Sequence, residues 1–450
     1  MSDEPAPGAL RVAVRTLGCK VNRTESESLI EELLGAGAVL VEEADADFVV
    51  VNTCTVTAEA DAKARKAVRH ALRAPRGPIV IVTGCLAALD PAGLAALDSR
   101  VVVDADKERL AQRVIARVLP GPGTTLRSVK ASAGDPSPLR GSPGLQNLAS
   151  GGPETGHPRA FRTRATVKVQ DGCDHRCAYC IVPDARGAPR SVPASNVVDR
   201  VAALIAGGVR EVVLTGVNIG RYTGGLARLV TQVAATGIER IRISSIEPID
   251  LTPALLATLA RTPAVMPHLH VPLQSGCDTT LAAMGRGYDT AAFADSIARA
   301  RDAMPGLALT TDIIVGFPGE SAADFAESLA FVEACGFSRL HVFRYSPRPG
   351  TPAAAMSERP DPREVADRAR RMRALGERLS SAHARARVGG RARVLVERVG
   401  DEVATGTTED YLHVTVRLSP AVTAPRPGDV VPATITAAER GSAWAVLAEC

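Results

Sequence analysis

Three β-branched runs in the first third of the chain each end on a cysteine: RVAVRTLG-Cys19, FVVVNT-Cys54 and PIVIVTG-Cys85. Segments of helical composition, 24–34 and 58–72, lie between them. Strands buried on both faces and alternating with helices fold as a parallel α/β sheet. The expected strands are 11–16, 48–52, 79–83 and 101–104. In a parallel sheet all strand C-termini share one edge, where open α/β sheets bind ligands. Cys19, Cys54 and Cys85 are therefore expected at one edge. Two readings stand at this point: a site with three thiolate ligands, or three core cysteines, since a lone Cys commonly packs as a small hydrophobe.

The remaining chain divides by composition. Residues 119–158 are rich in Gly, Pro and Ser and read as a linker. A second alternation follows, with strands expected at 165–170, 211–215, 240–245, 268–273, 308–315 and 339–346. Helices are expected at 194–206, 253–260, 290–303 and 322–334. Six strand–helix units fit a partial (β/α)6 barrel better than a closed eightfold one; a doubly wound sheet is the alternative. Residues 362–387 form a helical stretch with eight Arg against three acids. Short strands with turn signals then describe a small all-β barrel. The expected domains are 10–118, the linker, 159–387 and 388–450.

Among the 450 residues, 46% are hydrophobic and 23% charged, which excludes a mainly disordered chain. No apolar run is long enough for a membrane helix, and the start MSDEPAPGAL lacks the pattern of a signal peptide. A cytoplasmic protein is expected. Net charge is only +4, which neither demands nor excludes a nucleic-acid partner. Nine cysteines, an odd count in such a chain, argue against a disulfide framework.

Cys173, Cys177 and Cys180 form a Cys-x3-Cys-x2-Cys group just after the first expected barrel strand. Thiolates on so short a loop can wrap one face of an iron–sulfur cluster. Three ligands leave one iron of a four-iron cluster open to a small molecule. A zinc site would call for a fourth Cys or His, and His175 on so short a loop is expected to point away from a common centre. Cys277, Cys335 and Cys450 are expected not to be ligands. His268 and His270 are read as one buried and one ring-facing residue without a metal.

The order of these motifs resembles the radical S-adenosylmethionine (SAM) methylthiotransferases over the whole chain except 124–157. TLGCKVN (16–22), VNTCTVT (51–57) and GCLA (84–87) are similar to the family's N-terminal cluster-binding domain. VQDGCDHRCAYCIVPDARGAPRS (169–191) looks like the start of a radical-SAM partial barrel. The C-terminus is similar to a TRAM domain, a small RNA-binding β-barrel. Lys20 and the run Thr55–Thr57 resemble the branch acting on threonylcarbamoyladenosine 37 of tRNA. The branches acting on isopentenyladenosine 37 and on a ribosomal-protein side chain are the alternatives. Asp184 departs from the family, which commonly has an aromatic there.

The resemblance implies two 4Fe-4S clusters, one on Cys173, Cys177 and Cys180 and one on Cys19, Cys54 and Cys85. It implies SAM at the first, cleaved to a radical that removes hydrogen from C2 of adenine, and sulfur held at the second. That C–H bond is not acidic, so side-chain acid–base chemistry would not suffice. Candidate SAM contacts are Tyr179, just before the third cysteine of the loop, and Gly216, Asn218, Ser245, Glu247, Gln274 and Gly316 at expected strand ends, on the C-terminal barrel face. The implied partners are the tRNA anticodon stem-loop, a reductant such as flavodoxin or ferredoxin, and a sulfur donor. For RNA, the Arg-rich helix and the terminal barrel are the candidates, through phosphate contacts. A non-catalytic iron–sulfur RNA-binding protein is the rival from a different class.

Overall fold

A computed structural model of the chain describes residues 10–107, 109–118, 163–419 and 423–448. The linker expected at 119–158 and Cys450 lie outside the described residues. The chain divides into two compact units. The first comprises the described residues of 10–118 together with Asp184–Gly187; the second comprises 163–183 and 188–448.

In the first unit, β1 (Arg11–Thr16), β2 (Val39–Leu40), β3 (Phe48–Thr53), β4 (Ile79–Gly84) and β5 (Val101–Val103) form one sheet in the order β2-β1-β3-β4-β5. All its pairings are parallel. Alternation along β3 explains its complete burial. Val49 and Val51 meet Ala64, Ala67, Val68 and Ala71 of helix Ala58–Leu72. Val50 faces the other way, toward Leu29 and Leu33 of helix Lys20–Gly35 and Leu110 and Val114 of helix Leu110–Val118. The Thr57 hydroxyl starts helix Ala58–Leu72 by accepting from the Ala60 N–H at 3.1 Å.

The second unit carries six parallel strands in two three-stranded sheets. One is β10 (Arg240–Ile243), β9 (Glu211–Thr215) and β6 (Arg164–Lys168); the other is β11 (His268–His270), β12 (Ala308–Val315) and β13 (Arg339–Arg344). Isolated parallel bridges Ile241–Val265 and Ser245–His270 join β10 to the segment carrying β11. The expected strand 165–170 is divided: after β6, the short β7 (Gln170–Asp171) pairs antiparallel with β8 (Arg190–Ser191). The expected strand 268–273 ends at His270. Pro272 has no N–H to donate to a ladder, and Gln274 takes a left-handed φ of 72°. The chain then closes a five-stranded barrel, β14 (Arg391–Val399), β15 (Val403–Thr407), β16 (His413–Arg417), β18 (Ser442–Leu447) and β17 (Val430–Glu439), in that spatial order. This barrel is consistent with a TRAM-like domain. Among the described residues no helix is long and apolar enough to cross a membrane.

The small barrel seals the N-terminal ends of the six-strand array through a buried ion cluster. Glu211 on β9 accepts from Arg240 Nε at 2.6 Å and from Arg242 Nε at 2.8 Å. The two guanidinium groups continue into the loop after β15. Arg240 reaches the Thr408 carbonyl at 3.1 Å, and Arg242 reaches the Thr408 and Glu409 carbonyls at 2.7 and 2.9 Å. Tyr411 sits on this cluster in a left-handed conformation, φ 68°. Its ring lies 4.6 Å from that of His268, 4.8 Å from the Arg242 guanidinium and 5.2 Å from that of Arg164. One ring touching β6, β10 and β11 marks these residues as lining a common concave face.

The arginine run of helix Pro362–Ala386 is partly spent inside the unit. Arg368 is buried against Glu320 at 2.7 Å, Arg370 and Arg371 pair with Asp367, and Arg378 pairs with Glu333. Arg387, just past the helix, bonds Asp410 at 3.0 Å. Arg363, Arg373 and Arg385 remain exposed.

Removing Glu211 would take away the carboxylate that hydrogen-bonds both buried guanidinium groups. Glu211→Ala is expected to destabilise the second unit by about 3–5 kcal/mol, read as a lower urea midpoint. An unchanged midpoint would show that the carbonyl contacts alone hold the two arginines.

Candidate active site

In the first unit the three cysteines follow three neighbouring strands. Register pairs Thr16 with Asn52, Asn52 with Thr83 and Thr53 with Gly84. Cys19 comes three residues after Thr16, Cys54 directly after Thr53 and Cys85 directly after Gly84, so all three stand at one sheet edge. Cys19 caps helix Lys20–Gly35 and is exposed; Cys54 and Cys85 are buried.

Glycine is needed beside two of them. Gly18 has φ +99°, and a Cβ there would fall 2.4 Å from Cys54 Cβ. Gly84 has φ +96°, and a Cβ there would fall 2.2 Å from the Thr53 carbonyl. Both the left-handed backbone and the contact exclude a side chain.

Asn22, fully buried, ties the edge together. Its Nδ2 donates to the Leu17 carbonyl at 2.9 Å and to the Thr53 carbonyl at 2.8 Å, so one amide holds the loops carrying Cys19 and Cys54. Its Oδ1 accepts from Arg186 at 2.5 Å, and Arg186 also pairs with Glu25 at 2.9 Å. Burial, helped by the neighbouring Cys85 and Cys19 sulfurs, pushes the Cys54 thiol up to about 11. Three cysteine sulfurs brought to one sheet edge are a donor set of the kind that holds an iron–sulfur cluster.

In the second unit Cys173, Cys177 and Cys180 occupy the loop after β7. The His175 N–H points at Cys173 Sγ, 3.4 Å away, and Asn218 Nδ2 lies 3.9 Å from the same sulfur. Burial pushes the Cys180 thiol up to about 12, with the Cys177 and Cys173 sulfurs adding to it. Here too the donor set fits a soft cationic cluster.

The candidate SAM contacts divide into two groups. Asn218, Tyr179 and Glu247 gather at the loop: Asn218 touches Cys173 and His175, while Tyr179 and Glu247 share Arg286. Gly216 and Gly316 meet the protein itself. A Cβ at 216 would lie 3.0 Å from Gln170, and one at 316 would lie 2.5 Å from Val365. The Gly316 N–H donates to buried Glu320 at 2.7 Å. Ser245 and Gln274 stand at the same strand ends, and their side chains make no hydrogen bond among the described residues. The strained backbone of Gln274 costs about 1–3 kcal/mol, as such conformations at functional sites do.

Three residues escaped the sequence reading. Arg286 donates to Cys177 Sγ at 3.2 Å, pairs with Glu247 and lies 4.9 Å from the Tyr288 ring centroid. Asn22 and Arg186 sit inside recognised motifs, but only contacts distant in sequence show their work. The reading of His268 and His270 is corrected: both are buried and share one face, because residues two apart on a strand point the same way. Both rings bond the Thr310 hydroxyl, at 3.2 and 2.9 Å. Cys335 is buried in helix Ala322–Cys335, and the Cys277 thiol faces Asp324 at 3.4 Å.

The radical SAM superfamily profile matches residues 167–332, and a profile described as uncharacterized protein family UPF0004 matches 11–104. The threonylcarbamoyladenosine tRNA methylthiotransferase MtaB of Bacillus subtilis is 37% identical over 83% of this chain and 82% of its own. The Thermotoga maritima protein of that name is 36% identical over 77% of each. The tRNA-2-methylthio-N(6)-dimethylallyladenosine synthase of Anaeromyxobacter dehalogenans is 37% identical over 99% of this chain and 96% of its own. Among solved structures, the radical SAM methyltransferase TsrM of Kitasatospora setae is similar in fold: TM-score 0.54, 15% identity, 77% of each chain covered.

Asn22→Ala would take the amide donor from the Leu17 carbonyl and from the buried Thr53 carbonyl. It is expected to cost about 1–3 kcal/mol in the urea unfolding of the first unit; a loss below 0.5 kcal/mol (roughly the surface-substitution range) would remove Asn22 from the account of this edge.

Proposed function

Because the chain belongs to the radical-SAM methylthiotransferase family, we propose that it places a methylthio group on C2 of N6-threonylcarbamoyladenosine at position 37 of tRNA. The observation that carries this is the pair of three-cysteine sites, one per unit, in a chain whose tRNA-modifying relatives match both units. The radical-SAM family implies a 4Fe-4S cluster and SAM, and Cys173, Cys177 and Cys180 are the residues to hold that cluster. When bound, this pair supplies the one-electron chemistry that a non-acidic C–H bond requires. Cys19, Cys54 and Cys85 would hold the second cluster.

The surrounding residues have their own tasks. Arg286 sets a fixed positive charge against Cys177 and is itself held by Glu247. That guanidinium would also present donors to the SAM carboxylate. Asn218 orients Cys173, and Tyr179 packs with Phe317 and Ala353 beside the loop. The exposed Arg363, Arg373 and Arg385 supply phosphate contacts for the tRNA. A reductant and a sulfur donor complete the reaction. The dimethylallyl substrate is the second reading, favoured by the relative that matches 99% of the chain.

Two experiments test this. Anaerobically reconstituted wild type is expected to hold about eight irons, and Cys173→Ala/Cys177→Ala/Cys180→Ala about four. About four in wild type and none in the variant would remove the second cluster. Mass spectrometry of tRNA nucleosides from a deletion strain is expected to show unmethylthiolated threonylcarbamoyladenosine. Loss of the methylthio group from dimethylallyladenosine instead would select the second reading.

A further inference from the structure

The concave face of the second unit carries a polar cluster that the chemistry above leaves unused. Register pairs His270 with Thr310 on β11 and β12, and Asp312 with His341 on β12 and β13. His270, Asp312 and His341 therefore share one face, the face lined by His268 and closed by Tyr411. His270 Nε2 and His341 Nδ1 approach the same oxygen, Asp312 Oδ1, at 3.2 and 3.1 Å. Burial opposes ionisation of Asp312, but the hydrogen bonds from the two rings outweigh it and hold the carboxyl well below the usual carboxylate range.

The cluster is asymmetric. The other nitrogen of His270 is engaged by the Thr310 hydroxyl at 2.9 Å, and the His270 side chain is only 11% exposed. The His341 side chain is 49% exposed, and its Nε2 has no hydrogen-bond partner among the described residues. Asp312 thus fixes an imidazole whose outer nitrogen faces open space. Two residues nearer the C-terminal strand ends on the same face, about 7 Å along β13, Phe343 is an exposed aromatic, 45% accessible.

We propose that this cluster is the subsite for a hydroxy-carboxylate substituent on N6 of the target adenine, with His341 as the residue that reads it. The inference rests on the threonylcarbamoyl reading and deepens it. Phe343 offers its ring to the base; with Nδ1–H turned to Asp312, the neutral His341 ring presents Nε2 as an acceptor to the hydroxyl of the substituent, and the imidazolium form donates from Nε2 to its carboxylate. The ring is held in place by Asp312, which is in turn braced by His270. A dimethylallyl group would press hydrocarbon against an ionised carboxylate and two imidazoles, returning no hydrogen bond for the solvent displaced. Sites built to hydrogen-bond a substrate group reject analogues lacking it far more strongly than apolar pockets reject extra polar atoms. The cluster therefore separates the two substrates that the relatives' names distinguish.

The test uses reconstituted full-length enzyme and two anticodon stem-loop RNAs, carrying either threonylcarbamoyladenosine or dimethylallyladenosine at position 37. His341→Leu is expected to lower kcat/KM on the first RNA roughly 100-fold, mainly through KM, without lowering activity on the second. His341→Gln, which keeps a donor, is expected to recover most of the loss. Asp312→Asn, which loosens the ring, is expected to show the same selective defect. Iron content and reductive SAM cleavage without RNA report whether each variant is folded and loaded. Should His341→Leu fail that control, the comparison passes to Asp312→Asn and His341→Gln. Equal loss on both RNAs, or no loss on the first, overturns the proposal while leaving the substrate reading intact. So does a stoichiometric metal beyond the cluster iron that vanishes in His341→Leu, since the cluster would then be a cation site. Wild type inactive on the first RNA but active on the second would overturn the substrate reading itself, and the subsite with it.

Discussion

Cysteines drawn from distant parts of a chain come together at one edge when the backbone ends several strands at the same height. In the first unit, parallel register sets that height. Thr16, Asn52 and Thr83 stand level on β1, β3 and β4, and each strand delivers its cysteine within three residues of that line. Val49, Val50 and Val51 suit either face of β3, so register is pinned at its end, where the buried Asn52 amide donates to the Asn22 carbonyl and the Ser26 hydroxyl. These polar contacts determine where the sulfurs stand. The edge itself is finished by residues that tolerate no bulk, Gly18 and Gly84, and by the amide of Asn22 bridging two loops.

The second unit solves its placement problem differently. Cys173, Cys177 and Cys180 lie on one loop, so their proximity is local and owes little to sheet register. What the strands supply is the surroundings. Asn218 after β9, Glu247 after β10 and Arg286 beyond β11 all reach toward the loop or its neighbours. At the opposite strand ends Arg240, Glu211 and Arg242 form a closed floor against the small barrel. The terminal barrel, read from sequence for RNA binding, thus also stops the concave face. One of its few aromatic residues, Tyr411, is turned inward onto that floor and is not free to stack on a base.

Much of this was legible because the signals are local. Runs such as 211–215 and 308–315 match β9 and β12 in full, since dense β-branched residues between helical stretches leave few alternatives. The cysteine spacing and motif order disclosed the family before any fold was drawn. What stayed hidden depends on pairing across long sequence distances. Nothing in MGRGYD announces that Arg286 will lie against Cys177, 109 positions earlier. The arginines of helix Pro362–Ala386 looked like an RNA surface, yet Arg368 is drawn inward by Glu320. Strand β11 fell short because Pro272 has no N–H for the ladder, and pairing with β12 resumes only at an isolated bridge between Gln274 and Ile313, while the apolar pattern runs on unbroken.

The same division explains why His270 and His341 carried so little meaning in one dimension. A histidine on an apolar strand most simply packs, and the two lie on strands separated by β12. Only the register, which sets Asp312 opposite His341 and Thr310 opposite His270, turns them into one unit with one open nitrogen. A concave face lined only for stability would gain more from aliphatic packing than from an ionised carboxylate held by two imidazoles. Retaining that carboxylate, with Arg242 and Glu211 already engaged at the floor, leaves polarity on this wall in excess of what folding requires. Such an excess is reasonable where a polar ligand replaces the lost water.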